Sequence, residues 1–87
     1  MNTFTLTIAT PDGSRFQDEV IGLFVRGAEG DLAILAGHMP FITSVVKCEC
    51  LVSLPDGQTR TATTDGGLLT VSKDEVTFVS GSFKFKD

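Results

Sequence analysis

Along Thr3-Phe4-Thr5-Leu6-Thr7-Ile8-Ala9-Thr10, polar, mostly β-branched residues alternate with apolar ones. Successive side chains of a strand point to opposite faces, so this spacing sends Phe4, Leu6 and Ile8 one way and the threonines the other. The segment is a half-buried strand. Pro11-Asp12-Gly13 follows with a fixed φ, a side chain able to cap a turn, and a residue free to take φ > 0, which predicts a chain reversal. The tripeptide recurs at Pro55-Asp56-Gly57, but the flanking residues do not repeat, so the two are independent turns and not a duplicated hairpin.

The same punctuation continues to the end. Val20–Val25 is apolar on both faces, and Leu32–Leu35 is short and lies between Gly30 and Gly37; both read as strands inside a sandwich. From Phe41 to Leu54 one longer strand is predicted, bent near its middle, with Cys48, Cys50, Val52 and Leu54 alternating against Glu49, Leu51 and Ser53. Gln58–Thr64 answers it across the turn, and Gly66-Gly67 breaks that strand. Leu69 and Val71, then Val76 and Phe78 after a turn at Lys73-Asp74, keep the period of two, as does Phe83-Lys84-Phe85-Lys86. Many short strands, with turn signals every ~8–12 residues, predict an all-β fold: two packed antiparallel sheets forming a sandwich or flattened barrel. At 87 residues the chain is one domain, residues 1–87, without room for a second core.

Composition narrows the functional classes. A formal net charge of −4, with its 11 acidic and 7 basic side chains scattered, offers no run of cations to neutralise phosphates, so nucleic acid is excluded as a partner. Apolar runs such as Leu32–Ala36 fall far short of the ~20 residues of a membrane span, and the N-terminus lacks a signal-peptide pattern. Cys48 and Cys50 share one face of a strand, where bridging would strain the backbone, so they are expected as buried, reduced thiols suited to the cytoplasm.

Catalysis would need a nucleophile, a base and a stabiliser that converge. The one imidazole, His38, stands in the loop Ala36–Pro40, where a lone His reads as a surface or packing residue. Gly27-Ala28-Glu29-Gly30 lacks the Lys and the following helix of a phosphate loop, and one His with two Cys falls short of a four-ligand zinc set. No catalytic residue, cofactor or metal is therefore expected. Two Gly-framed segments stand out instead. One carries Glu29 and Asp31 on a tight turn; the other places His38, Met39, Pro40, Phe41 and Ile42 in a connection that should be exposed. The apolar members either form a contact surface or tuck into the core as the next strand begins.

The run from Gly27 to Phe41, Gly-Ala-Glu-Gly-Asp-Leu-Ala-Ile-Leu-Ala-Gly-His-Met-Pro-Phe, resembles a pattern of the N-terminal domain of the F-type ATP synthase epsilon subunit, called delta in mitochondria. Gly66-Gly67-Leu68-Leu69-Thr70-Val71, with Val76-Thr77-Phe78-Val79, resembles a second pattern of that family, and the likeness covers almost the whole chain. Ala36 and Ala33 stand where the family usually has Pro and Gly, which loosens the loop before His38. The family usually continues into a C-terminal helical hairpin that carries its regulatory inhibition and ATP sensing. This sequence stops just after Lys86, so a β-domain without that hairpin is expected.

The resemblance implies a non-catalytic rotor subunit that couples gamma to the membrane c ring during proton- or sodium-driven ATP synthesis. It would lie on the cytoplasmic face of a bacterial cell membrane, peripheral through the complex and without a transmembrane segment of its own. Glu29, Asp31, His38, Met39, Pro40, Phe41 and Ile42 are the expected partner-binding residues. The residues themselves leave open a stand-alone ligand- or protein-binding sandwich, marked by a concave pocket. They also leave a small hydrolase using His38, which would need a nucleophile and an acid within hydrogen-bond reach of that ring.

Overall fold

The computed structural model describes residues 2–37 and 39–86. The described chain forms β1 (Phe4–Thr10), β2 (Gly13–Val20), β3 (Gly22–Gly27), β4 (Gly30–Leu35), β5 (Phe41–Val45), β6 (Cys48–Ser53), β7 (Thr59–Thr64), β8 (Gly67–Val71), β9 (Glu75–Ser80) and β10 (Phe83–Phe85). Both Pro-Asp-Gly tripeptides turn the chain, between β1 and β2 and between β6 and β7. One ladder runs β10-β7-β6-β3-β5-β8-β9-β1-β2, with β4 added to β3. The ladder folds into a nearly closed, flattened barrel, whose two end strands meet through the rings of Phe16 and Phe85, 5.7 Å apart. Neighbours are antiparallel except β1 and β9, which run parallel from Thr5↔Glu75 to Ala9↔Val79.

The alternation read in β1 is borne out, since Phe4, Leu6 and Ile8 are at most 1 % exposed. They pack with Leu69, Val71, Val76 and Phe78 from one half of the ladder and with Leu23, Val52 and Ala62 from the other. Phe78 and Phe83 meet edge to face at 6.1 Å.

Four details differ from the sequence reading. Residues 13–19, given no strand, form β2; as an edge strand it is exposed on both faces apart from Phe16 and Val20, so it shows no apolar period. The run Val20–Val25 is split at Ile21, whose N–H donates to the Ser53 carbonyl at 2.8 Å. β4 is not interior: it pairs only with β3, and Leu35 at its end is 52 % exposed. The long strand Phe41–Leu54 is broken into β5 and β6 at Val46-Lys47, and the halves lie on different neighbours, β8 for one and β7 for the other.

That break is where the ladder turns its corner. β3 pairs with β6 at Gly22–Phe24 and with β5 at Gly27. At the same corner Gly66 and Gly67 start β8 in contact with two other strands. A Cβ on Gly66 would lie 2.4 Å from the Val45 carbonyl oxygen, and one on Gly67 2.0 Å from that of Val79. Beneath them a buried polar cluster is fully satisfied. The Gly66 N–H donates to Thr64 Oγ1 at 3.0 Å, while Thr64 and Ser80 hydroxyls lie 2.8 Å apart. Ser80 has one proton for two carbonyls, Gly66 at 2.7 Å and Ser82 at 2.9 Å, so the proton between the two hydroxyls comes from Thr64.

The cysteines are free, Cys50 buried and Cys48 half-buried on the same face. Burial, reinforced by Cys48, pushes the Cys50 thiol up from 9.0 to about 12.

Two outcomes follow from these contacts. Gly67→Ala should lower unfolding stability by about 3 kcal/mol, because backbone must move to admit the methyl group, whereas Gly81→Ala, with open space around it, should stay within about 0.5 kcal/mol. Urea denaturation of both variants checks this. The folded state holds the Cys50 proton more tightly than the unfolded chain, so the stability it contributes is complete below pH 9 and lost as pH rises towards about 12. Denaturation midpoints measured across that window should fall less steeply for Cys50→Ala than for the parent.

Candidate partner-binding surface

Glu29 and Asp31 lie on the β3–β4 hairpin, where Arg26 faces Asp31, Gly27 faces Gly30, and Ala28-Glu29 make the turn. The hairpin is clipped to the end of β5. The Ala28 N–H donates to the Ser44 carbonyl at 3.3 Å, and the Val46 N–H to the Arg26 carbonyl at 3.0 Å. Asp31 is not a free carboxylate, since its Oδ1 accepts from Arg26 Nε at 2.9 Å. That hydrogen bond, with the Asp31 charge behind it, raises the Arg26 guanidinium above its ordinary value. Glu29 is exposed at the tip and has no partner among the described residues.

Met39, Pro40, Phe41 and Ile42 form a second group at the start of β5. Met39 is 82 % and Ile42 66 % exposed, so the alternative in which these side chains fill the core does not occur. Only Phe41 turns to the same face as buried Val45, and it stays at the rim. Phe41 stands four residues from Val45, about 13 Å at strand rise, so β5 holds the two groups apart. His38 lies outside the described residues.

Sequence reasoning missed two features. Ile42 and Ser44 project outward beside Thr70 and Leu68, and Leu68 in turn faces Val79, giving an exposed apolar strip of Ile42, Leu68 and Val79 across three strands. The signal was present in Leu68-Leu69, because two adjacent leucines in a strand cannot both face the core. The other feature is a groove of about 550 Å³, open to solvent, where β3 leaves β6 for β5; Phe24, Arg26, Asp31, Lys47, Glu49 and Leu51 are among its walls. No spacing in the sequence marks it, since it arises from a strand changing partners.

The threonine side of β1 is partly committed to internal contacts. Thr3 Oγ1 donates to Glu19 at 2.8 Å and Thr5 Oγ1 donates to its other carboxylate oxygen. Those bonds, Thr5 first, hold the Glu19 carboxyl below its ordinary range.

Comparison with known proteins agrees with this architecture. The chain is 32 % identical over 87 residues to the ATP synthase epsilon chain of Clostridium perfringens, an alignment covering all of this chain and 65 % of that protein. It is 38 % identical over 80 residues to the ATP synthase epsilon chain of Bacillus velezensis, covering 92 % of this chain and 60 % of that one. The chain thus spans less than two thirds of the length of these curated relatives. A chain in the cryo-EM structure of the Euglena gracilis mitochondrial ATP synthase (OSCP/F1/c-ring) has the same fold, with a TM-score of 0.90 at 21 % identity over 95 % of this chain and 53 % of that one. Residues 3–85 match the family model of the ATP synthase delta/epsilon chain β-sandwich domain, and the chain belongs to that family.

Proposed function

We propose that this chain serves as the β-domain of a non-catalytic central-stalk subunit of an F-type ATP synthase, joining gamma to the c ring. The observation that carries the reading is the match of residues 3–85 to the delta/epsilon β-sandwich family. Such a role rests on complementary surfaces and needs no cofactor. The domain is peripheral to the membrane through the complex, on its cytoplasmic face; no helix of the described residues is long and apolar enough to cross a membrane.

Two exposed surfaces support the assignment of partners. The hairpin tip with Glu29 and, separated from it along β5, Met39 and Pro40 project from Gly-framed connections, and each group fits the polar loops of a ring. The apolar strip Ile42–Leu68–Val79 lies on regular strands, a flat and rigid face suited to a protein such as gamma.

Covering a side chain such as Met39 or Leu68 fully contributes about 1.5–3 kcal/mol, roughly 10- to 150-fold in affinity. Met39→Asp should therefore weaken binding to isolated c rings, and Leu68→Asp binding to gamma, each about 10-fold or more. Gln17→Lys on exposed β2 should leave both unchanged. Surface-immobilised binding measurements, with circular dichroism to check folding, test the reading. It fails if the parent chain binds neither partner, or if Gln17→Lys alone disrupts binding while both Asp variants behave as the parent.

A further inference from the structure

We infer that Arg26 is a specificity-determining residue of the β3–β4 hairpin: it holds Asp31 as an internal ion pair, leaving Glu29 as the single unpaired negative charge offered to a partner. This deepens the ring-contact reading above and rests on it for the identity of the partner, though not for the charge arrangement itself.

Register makes the pairing local. Arg26 and Asp31 are directly opposed across β3 and β4, one step below the Gly27↔Gly30 pair that closes the turn. The contact is a charge-assisted hydrogen bond of 2.9 Å from Nε to Oδ1. The backbone of the same arginine is anchored, because its carbonyl accepts from the Val46 N–H at 3.0 Å. The guanidinium therefore springs from a fixed base and needs no rearrangement to reach Asp31.

The surroundings reinforce the division. Lys47 lines the same groove as Arg26 and Asp31, so its walls carry two cations and two carboxylates, Asp31 and Glu49. Glu49, the other acidic wall, is engaged by Lys86 Nζ. Around Asp31 the charges balance or lean positive, whereas Glu29 stands beyond them at the tip with no partner among the described residues. Arg26, Glu29 and Asp31 together carry a net charge of −1. Removing the guanidinium makes the hairpin −2 and turns a one-carboxylate contact into a two-carboxylate one. With exposed charges screened beyond about 8–10 Å, the placement of each charge matters as much as the sum.

The experiment has two arms. In the first, solvent paramagnetic relaxation by cationic and anionic nitroxides reads the near-surface potential at individual backbone amides of the ¹⁵N-labelled chain. The amide of Glu29 should attract the cationic probe more than that of Asp31, and Arg26→Ala should make the Asp31 amide clearly more attractive to it. Equal attraction at both amides in the parent, or no change at Asp31 in Arg26→Ala, overturns the inference whatever the chain binds.

The second arm measures affinity for isolated c rings. Glu29→Gln should weaken it and Arg26→Ala strengthen it, each by about 1.5- to 5-fold, while the double variant Arg26→Ala/Asp31→Ala should leave it unchanged. A double variant that weakens binding as much as Glu29→Gln shows Asp31 in direct contact with the ring and overturns the inference. A parent that binds no ring defeats the ring-contact reading alone, and the charge division then stands or falls on the first arm.

Discussion

The barrel depends on how closely Gly66 and Gly67 approach their neighbours. With the Val45 and Val79 carbonyl oxygens 2.4 and 2.0 Å from where Cβ atoms would sit, β8 can start between β5 and β9 because neither residue carries a side chain. Every later pairing in that half of the ladder, Val45↔Gly67 through Val71↔Val76, is registered from this point. The Thr64–Ser80 cluster meets the matching polar requirement: the chain passes there from β7 to β8, and each buried hydroxyl finds partners.

The same corner shapes the surface. Because β3 is shared between β6 and β5, the two strands diverge, the groove opens, and the β3–β4 hairpin is left projecting with two backbone bonds to β5. A hairpin held in this way presents Glu29 rigidly, with little conformational entropy to lose on contact. The apolar strip has a different origin. It lies on the outward parity of β5, β8 and β9, whose inward parity is filled by Val45, Leu69, Val71 and Phe78, so its exposure follows from strand geometry and not from a lack of room inside.

The period of two in Phe4–Thr10, the Pro-Asp-Gly turns and the alternation through Cys48–Ser53 were enough to define an all-β chain and to point to Phe4, Leu6, Ile8, Cys50 and Val52 of its core, because each is a local consequence of strand geometry acting on neighbouring residues. Charge and run length led to the expectations of no nucleic-acid partner and no apolar helical span on the same local grounds. What the sequence could not contain was partnership. β2 lacks an apolar period because an edge strand buries little, and β1 runs parallel to β9, which no local signal announces. Phe41–Leu54 looked like one strand until its halves took different neighbours. The candidate surface divides in the same way. Glu29, Met39 and Ile42 were legible as unusual side chains in exposed places, while the capture of Asp31 by Arg26 followed from the register of the β3–β4 hairpin, and the placing of Ile42 beside the β8 and β9 strands that carry Leu68 and Val79 was decided by register between strands far apart in sequence. Register is set by long-range packing around the core, and that energy belongs to the assembled barrel and to no segment of it alone.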